Sequence, residues 1–320
     1  MGDQKILTGM KNIDELIKKI SIFENGNNDD FGLYHGQTGL AVLFFVLYGI
    51  TGDKFYYSKA HTIVDHIADH ISSVQCLDFR NGLAGIGWGI EWFVQNQFVE
   101  ADTEEVLEDF DDELYKAVVY TKSNCLSLEN GTLGNAMYFY KRLLSKNPTV
   151  NKFKQICNKE CLIFLIDDIK DSFFAFKENF LQKKGDLTVK EYGEIAQCLI
   201  FLKRVKKLNL NTEIINRLIG EIINFIQESL RPKTPTTDEY KGLNTYLVYA
   251  LHVNDVFQRK EIGKKSYYKK NLADTNHLPL FIEYKLDNYG YVPVSENTIS
   301  DFLSEIDPMG RFHWQEAFGF

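Results

Sequence analysis

The sequence has no Cys-x-x-Cys pair, and its five cysteines, Cys76, Cys125, Cys157, Cys161 and Cys198, are scattered and odd in number. That usage excludes a disulfide framework and fits free thiols in a reducing compartment. The opening residues, MGDQKILTGMKNIDELIKKI, contain no apolar h-region and so no secretory signal. Long hydrophobic runs are missing too. The longest, over residues 39–50, is too short to cross a bilayer and fits a buried helix. Basic residues are outnumbered, 36 Lys and Arg against 44 Asp and Glu, for a formal net charge of −8. A nucleic-acid or anionic-membrane surface needs the opposite balance. No low-complexity linker interrupts the chain, so residues 1–320 read as a single domain. These absences predict a cytoplasmic protein with no membrane span and no nucleic-acid partner.

What is present is a 44% hydrophobic content, enough for a substantial core, and an internal repeat. FGLYHGQTGLAVLFFVLYG from Phe31, LDFRNGLAGIGWGIEWFV from Leu77 and SLENGTLGNAMYFYKRLL from Ser127 share one design. Each is a polar stretch, then Gly-x-x-Gly, then an apolar helix. The first glycines are Gly36, Gly82 and Gly131, separated by 46 and 49 residues, a step that suits one helical hairpin. Glycine there lets a loop turn into a helix start and lets backbones approach closely. A second glycine three residues on shares the same helix face.

The helices after the glycines are apolar nearly all round, as buried helices are. Amphipathic helices alternate with them. Residues 56–71 put Ala60, Ile63, Val64, Ile67 and Ile71 on one face. Residues 102–121 open with Asp102 as an N-cap and Glu105 three residues later, and bury Val106, Phe110, Leu114 and Ala117. Weaker repeats follow at Gly193 and Gly242, again 49 apart, with an amphipathic helix at 211–230 between them. The segment RPKTPTT at 231–237 is a connection inside this period, and the pattern becomes irregular after Gly263. Inner helices alternating with outer ones predict an all-α protein, an α/α toroid built from helix-hairpin repeats.

The three strong repeats, together with GITGDKFYYSKAHTIVDHI, resemble the lanthionine synthetase C-like family. The resemblance is specific from about residue 31 to 144 and only periodic to about 253. It implies a toroid whose Gly-rich loops gather at one mouth. It also implies, for catalytic members, zinc-activated addition of a peptide cysteine thiolate to a dehydrated Ser or Thr. The zinc is held by two Cys and one His on two late repeats, the second with adjacent Cys and His. Here no Cys adjoins a His, and the late loops read Lys190, Glu191, Tyr192, Gly193 and Glu239, Tyr240, Lys241, Gly242. Cys198 falls within a helix. No metal and no cofactor is therefore expected. One functional position does match: the family's Asp four residues before a repeat glycine is Asp78. A family His before a later glycine is Asn130 here, and the nearest local equivalent is His35.

Two readings of these loops stand side by side. As a site, Asp78 would be the acid/base residue assisted by His35, with Tyr34, Arg80, Glu129 and Asn130 binding substrate. As structure, the same polar residues cap helix N-termini, although Arg80 suits that role poorly because its charge opposes the helix dipole. The resemblance implies binding, and in a catalytic protein modification, of a peptide or small thiol substrate in a central cavity without zinc. Alternatives are a non-catalytic peptide-binding partner of a modifying system, a glycoside hydrolase using Asp78 and Glu129, or a structural relative without chemistry.

Other motifs read more simply. His61, His66 and His70 lie off the apolar stripe of their helix and read as a solvated face, although His66 and His70 have metal-binding spacing. Cys157 and Cys161 read as buried beside Phe153, Ile156 and Phe164, and Trp88 and Trp92 as core. The closing RFHWQEAFGF reads as docked on the body of the protein.

Overall fold

A computed structural model describes residues 30–230, apart from 35, 124, 149–150 and 184–186. The repeat at Gly242, the connection at 231–237 and the aromatic segment at 311–320 lie outside the described residues. Among those described there are helices and turns and no strand, as the all-α expectation required. The helices are α1 Gln37–Thr51, α2 Lys54–His70, α3 Leu83–Gln95, α4 Thr103–Val106 and α5 Glu108–Tyr120. After them come α6 Thr132–Leu143, α7 Lys152–Lys183, α8 Val189–Val205 and α9 Thr212–Leu230. α1 pairs with α2, α6 with α7 and α8 with α9, helical pairs of the kind from which an α/α toroid is made. The described residues fall into two compact units, 30–107 and 108–230.

In the first unit α1 and α2 form a hairpin. Gly52 ends α1 in the left-handed conformation (φ 69°), its N–H donating to the Tyr48 carbonyl at 2.7 Å. Asp53 then caps α2 by accepting from the Phe55 N–H at 2.9 Å. α1 is buried on nearly every side, from Leu40 through Phe45. α2 buries one stripe, Tyr56, Ala60 and Ile67, with Ile63 and Val64 half-buried, as is Ile71 just after its end. α3 packs on α1 so closely that a methyl group at Gly89 would collide with Thr38. Trp88 and Trp92 are core residues of α3, each only 4% exposed. Beyond α3, Phe98 stacks on Phe45 with ring centroids 4.6 Å apart, closing the aromatic core of this unit.

The single amphipathic helix expected over 102–121 is two helices. Asp102 does cap its start, accepting from the Glu104 N–H at 2.9 Å. The chain leaves helical geometry at Leu107, which turns inward and is fully buried. Val106, expected inside, is therefore exposed, and α5 restarts with Phe110 and Leu114 buried while Ala117 is half-buried. One inward-turning leucine moved the apolar register by a residue.

In the second unit α5 and α7 run parallel. Lys154 pairs with Glu108 at 3.1 Å and Lys122 with Asp168 at 3.7 Å, and both pairs are offset by the same 46 residues (154−108 and 168−122). α6 packs against α7 and is tied to α5 by a buried charge pair, Arg142 on Asp111. α9 buries Ile215, Leu218, Ile222, Phe225 and Ile226, with Ile214 half-buried. The ring of Phe225 meets those of Phe173 and Phe180 edge-on. On α7, Cys161 is buried and Cys157 half-buried, but Phe153, Ile156 and Phe164 are exposed rather than packed around them. The helix turns those three to its solvent side.

Gly193 is not a repeat glycine. α8 begins four residues earlier, at Val189, behind Thr188. The Thr188 hydroxyl accepts from the Glu191 N–H at 3.2 Å and the Glu191 carboxylate accepts from the Thr188 N–H at 2.7 Å, a reciprocal capping box. Gly193 sits inside the helix, and no other described residue stands where a side chain would go.

Candidate functional site

The three strong Gly-x-x-Gly loops have one backbone design. The first helical N–H of α1, α3 and α6, on Gln37, Leu83 and Thr132, donates to the carbonyl of Asp30, Cys76 and Cys125 at 2.8, 2.9 and 2.9 Å. In each case the acceptor lies six residues before the repeat glycine. The glycines themselves, at φ −114°, −109° and −122°, adopt an extended backbone open to any residue. What they supply is room. A Cβ on Gly82 would stand 2.5 Å from both the Cys76 carbonyl oxygen and the Asp78 nitrogen, and Gly36 and Gly131 meet the equivalent atoms of their own loops.

This arrangement displaces the capping role expected of the polar residues. The N-caps are glycines, with no side chain to cap their helices, and a loop carbonyl satisfies the first helical donor instead. Asp78 instead serves its own loop. Its Oδ1 accepts from the Asn81 N–H at 2.7 Å, and its Oδ2 accepts from the Cys76 thiol at 3.1 Å. Burial pushes the Cys76 thiol up from its ordinary value, and the neighbouring Asp78 carboxylate adds to the rise. The Cys-x-Asp pairing was not anticipated, and only the spacing of two polar residues in one loop hinted at it.

The first two loops are stitched together. The Arg80 carbonyl accepts from both Leu33 and Tyr34, at 2.9 and 3.0 Å. Gly85, the second glycine of its repeat, lies against the Phe79 carbonyl and Leu33, so its missing side chain permits this contact. The junction holds Tyr34 fully buried and Arg80 half-buried. Tyr34, Arg80 and Asp78 belong to the first unit, Glu129 and Asn130 to the second. Glu129 is half-buried, with its N–H donating to Ser127 Oγ at 3.2 Å, and Asn130 is exposed. His35 lies outside the described residues.

The histidines of α2 are not a solvated face throughout. His61 Nε2 lies 3.0 Å from the Phe98 carbonyl, with its ring against Tyr57 at 4.3 Å. His66 Nδ1 lies 2.8 Å from Gln37 Oε1, at the start of α1. The antiparallel hairpin brings these positions inward, which single-helix periodicity does not reveal. Only His70 is exposed.

The resemblance implies zinc held by two Cys and one His on late repeats. Among the described residues no group of three or more His, Cys, Asp or Glu is placed to hold a metal. Thr188 and Glu191, where a late-repeat ligand would be sought, are engaged in capping α8. Burial pushes the Cys198 and Cys161 thiols up to about 12. The late loop before Gly242 contains neither Cys nor His.

The fold and loops define an all-α protein of helical hairpins organised by Gly-x-x-Gly turns. Residues 27–114 match the family model of the lanthionine synthetase C-like protein. The matched stretch holds the first two glycine loops and ends in α5, so the third loop lies beyond it. No curated protein matches the sequence. No helix among the described residues is long and apolar enough to cross a membrane.

Proposed function

We propose that this protein binds a peptide or small thiol substrate and adds its sulfur to an electron-poor alkene without using zinc, with Asp78 as the acid/base residue. The observation that supports the reading is the carboxylate of Asp78. It lies within the family-matched stretch, where the resemblance implies the family's Asp, and is held at both oxygens by the Asn81 N–H and the Cys76 thiol. A carboxylate oriented in this way can take the proton from an incoming thiol by displacing the weak thiol donor. The sulfur then bonds to the terminal alkene carbon, and the proton is returned to the adjacent carbon, so addition is redox-neutral. Arg80 would orient the substrate, His35 would assist proton transfer, and the chain would act in the cytoplasm.

The test is incubation of the purified full-length chain with a peptide carrying one Cys and one dehydroalanine, followed by loss of free thiol and chromatography. Thioether formation that disappears in Asp78→Asn, with the helical circular dichroism unchanged, is expected. Full activity in that variant overturns the role of Asp78. Binding of the peptide without turnover in either protein identifies a non-catalytic peptide-holding partner, a reading favoured by the missing zinc donors. Absence of both binding and turnover overturns the proposal as a whole.

A further inference from the structure

We infer that His66 and His70 form a chelating site for a borderline divalent transition-metal ion such as Zn²⁺ or Cu²⁺, separate from the Asp78 loop chemistry. The two residues are one turn apart on α2, with ring centroids 4.4 Å apart. Their hydrogen bonds settle which nitrogens are available. His70 Nδ1 lies 2.9 Å from the His66 backbone carbonyl, an oxygen that only accepts, so this nitrogen carries the proton. His66 Nδ1 faces the acceptor Oε1 of Gln37 at 2.8 Å and is the donor there too. In the neutral rings both Nε2 atoms therefore present lone pairs, and a metal-bound histidine ordinarily has its other nitrogen anchored on a carbonyl in this way.

The surroundings favour a cation. His70 is the last residue of α2, at the negative end of the helix dipole. Asp65 and Asp69 are exposed on the same helix. Phe31 packs on both rings, at 5.7 Å from His66 and 6.0 Å from His70, which limits their rotation and lowers the entropy lost on chelation. Two imidazoles leave further coordination positions to water, so the site is an exchangeable one. Because Gln37 and Phe31 belong to the first glycine loop, a bound ion would cross-brace that loop to the end of α2.

The test uses tag-free, chelator-stripped full-length protein titrated with Zn²⁺ by calorimetry, and with Cu²⁺ by electron paramagnetic resonance. Expected are one saturable ion per chain and a copper signal with splitting from two nitrogens. His70→Ala should weaken binding at least tenfold, and Gln37→Leu, which releases the His66 tautomer, by about tenfold. Helical circular dichroism of each variant separates lost ligands from lost fold. Zn²⁺ affinity unchanged in His66→Ala/His70→Ala, or no binding by the parent protein at millimolar ion, overturns the site.

Discussion

Arg142 grips Asp111 through two nitrogens: Nη2 donates to Oδ2 at 2.7 Å and Nε to Oδ1 at 3.0 Å, while the Tyr138 hydroxyl donates to the same Oδ1 at 2.6 Å. Both charges are buried, so the pair ties α5 to α6 where water cannot compensate for either partner. Removing one partner leaves an unpaired buried charge. Arg142→Met is expected to cost about 3–5 kcal/mol, and Asp111→Leu/Arg142→Met to recover most of that. Urea unfolding of the three proteins checks it; a double variant less stable than the single one would refute the assignment.

The same substitution should act oppositely at two glycines. Gly82→Ala forces a methyl into the Cys76 carbonyl and Asp78 nitrogen, and should destabilise by about 1–3 kcal/mol. Gly193→Ala meets nothing in its helix and should stabilise by about 0.5–1 kcal/mol. Thermal melts of both variants check this, and a loss of stability in Gly193→Ala would contradict the open position of Gly193 inside α8.

Thiol reactivity should track both burial and Asp78. Cys76 and Cys125 are exposed, whereas Cys161 and Cys198 are buried and should react with iodoacetamide only on unfolding. With its thiol pushed up partly by Asp78, Cys76 should alkylate several-fold faster in Asp78→Asn at pH 8, because more of it is thiolate. Site-resolved mass spectrometry reads both effects in one experiment. Equal Cys76 rates in the two proteins would mean the contact with Asp78 does not persist in solution.

Alkaline pH should weaken the fold through Cys198. Burial raises its folded value from 9.0 to about 12, so its contribution to stability is complete below 9 and is lost as the pH rises towards 12. The urea midpoint should therefore fall from pH 9 upward. Cys198→Ala should be less stable at pH 7 yet show a shallower fall over that range. Parallel pH profiles for the two proteins would rule out a role for this thiol.

Much of this protein is legible in its sequence, because the signals involved are local. The three glycine loops, the apolar helices behind them, the Asp102 cap and the stripe of α9 depend on residues a few positions apart, and periodicity reports them directly. Contacts between elements decided the rest. Gly193 was read by its spacing from other glycines, but the helix start is set by which cap closes first, and Thr188 with Glu191 closes it earlier. Val106 was read by period, but Leu107 found the core instead. His66 was assigned to solvent from its own helix, and the neighbouring helix brought Gln37 to it. Burial, hydrogen-bond partners and thiol ionisation all depend on what lies opposite a residue, and that is settled by packing rather than by spacing along the chain.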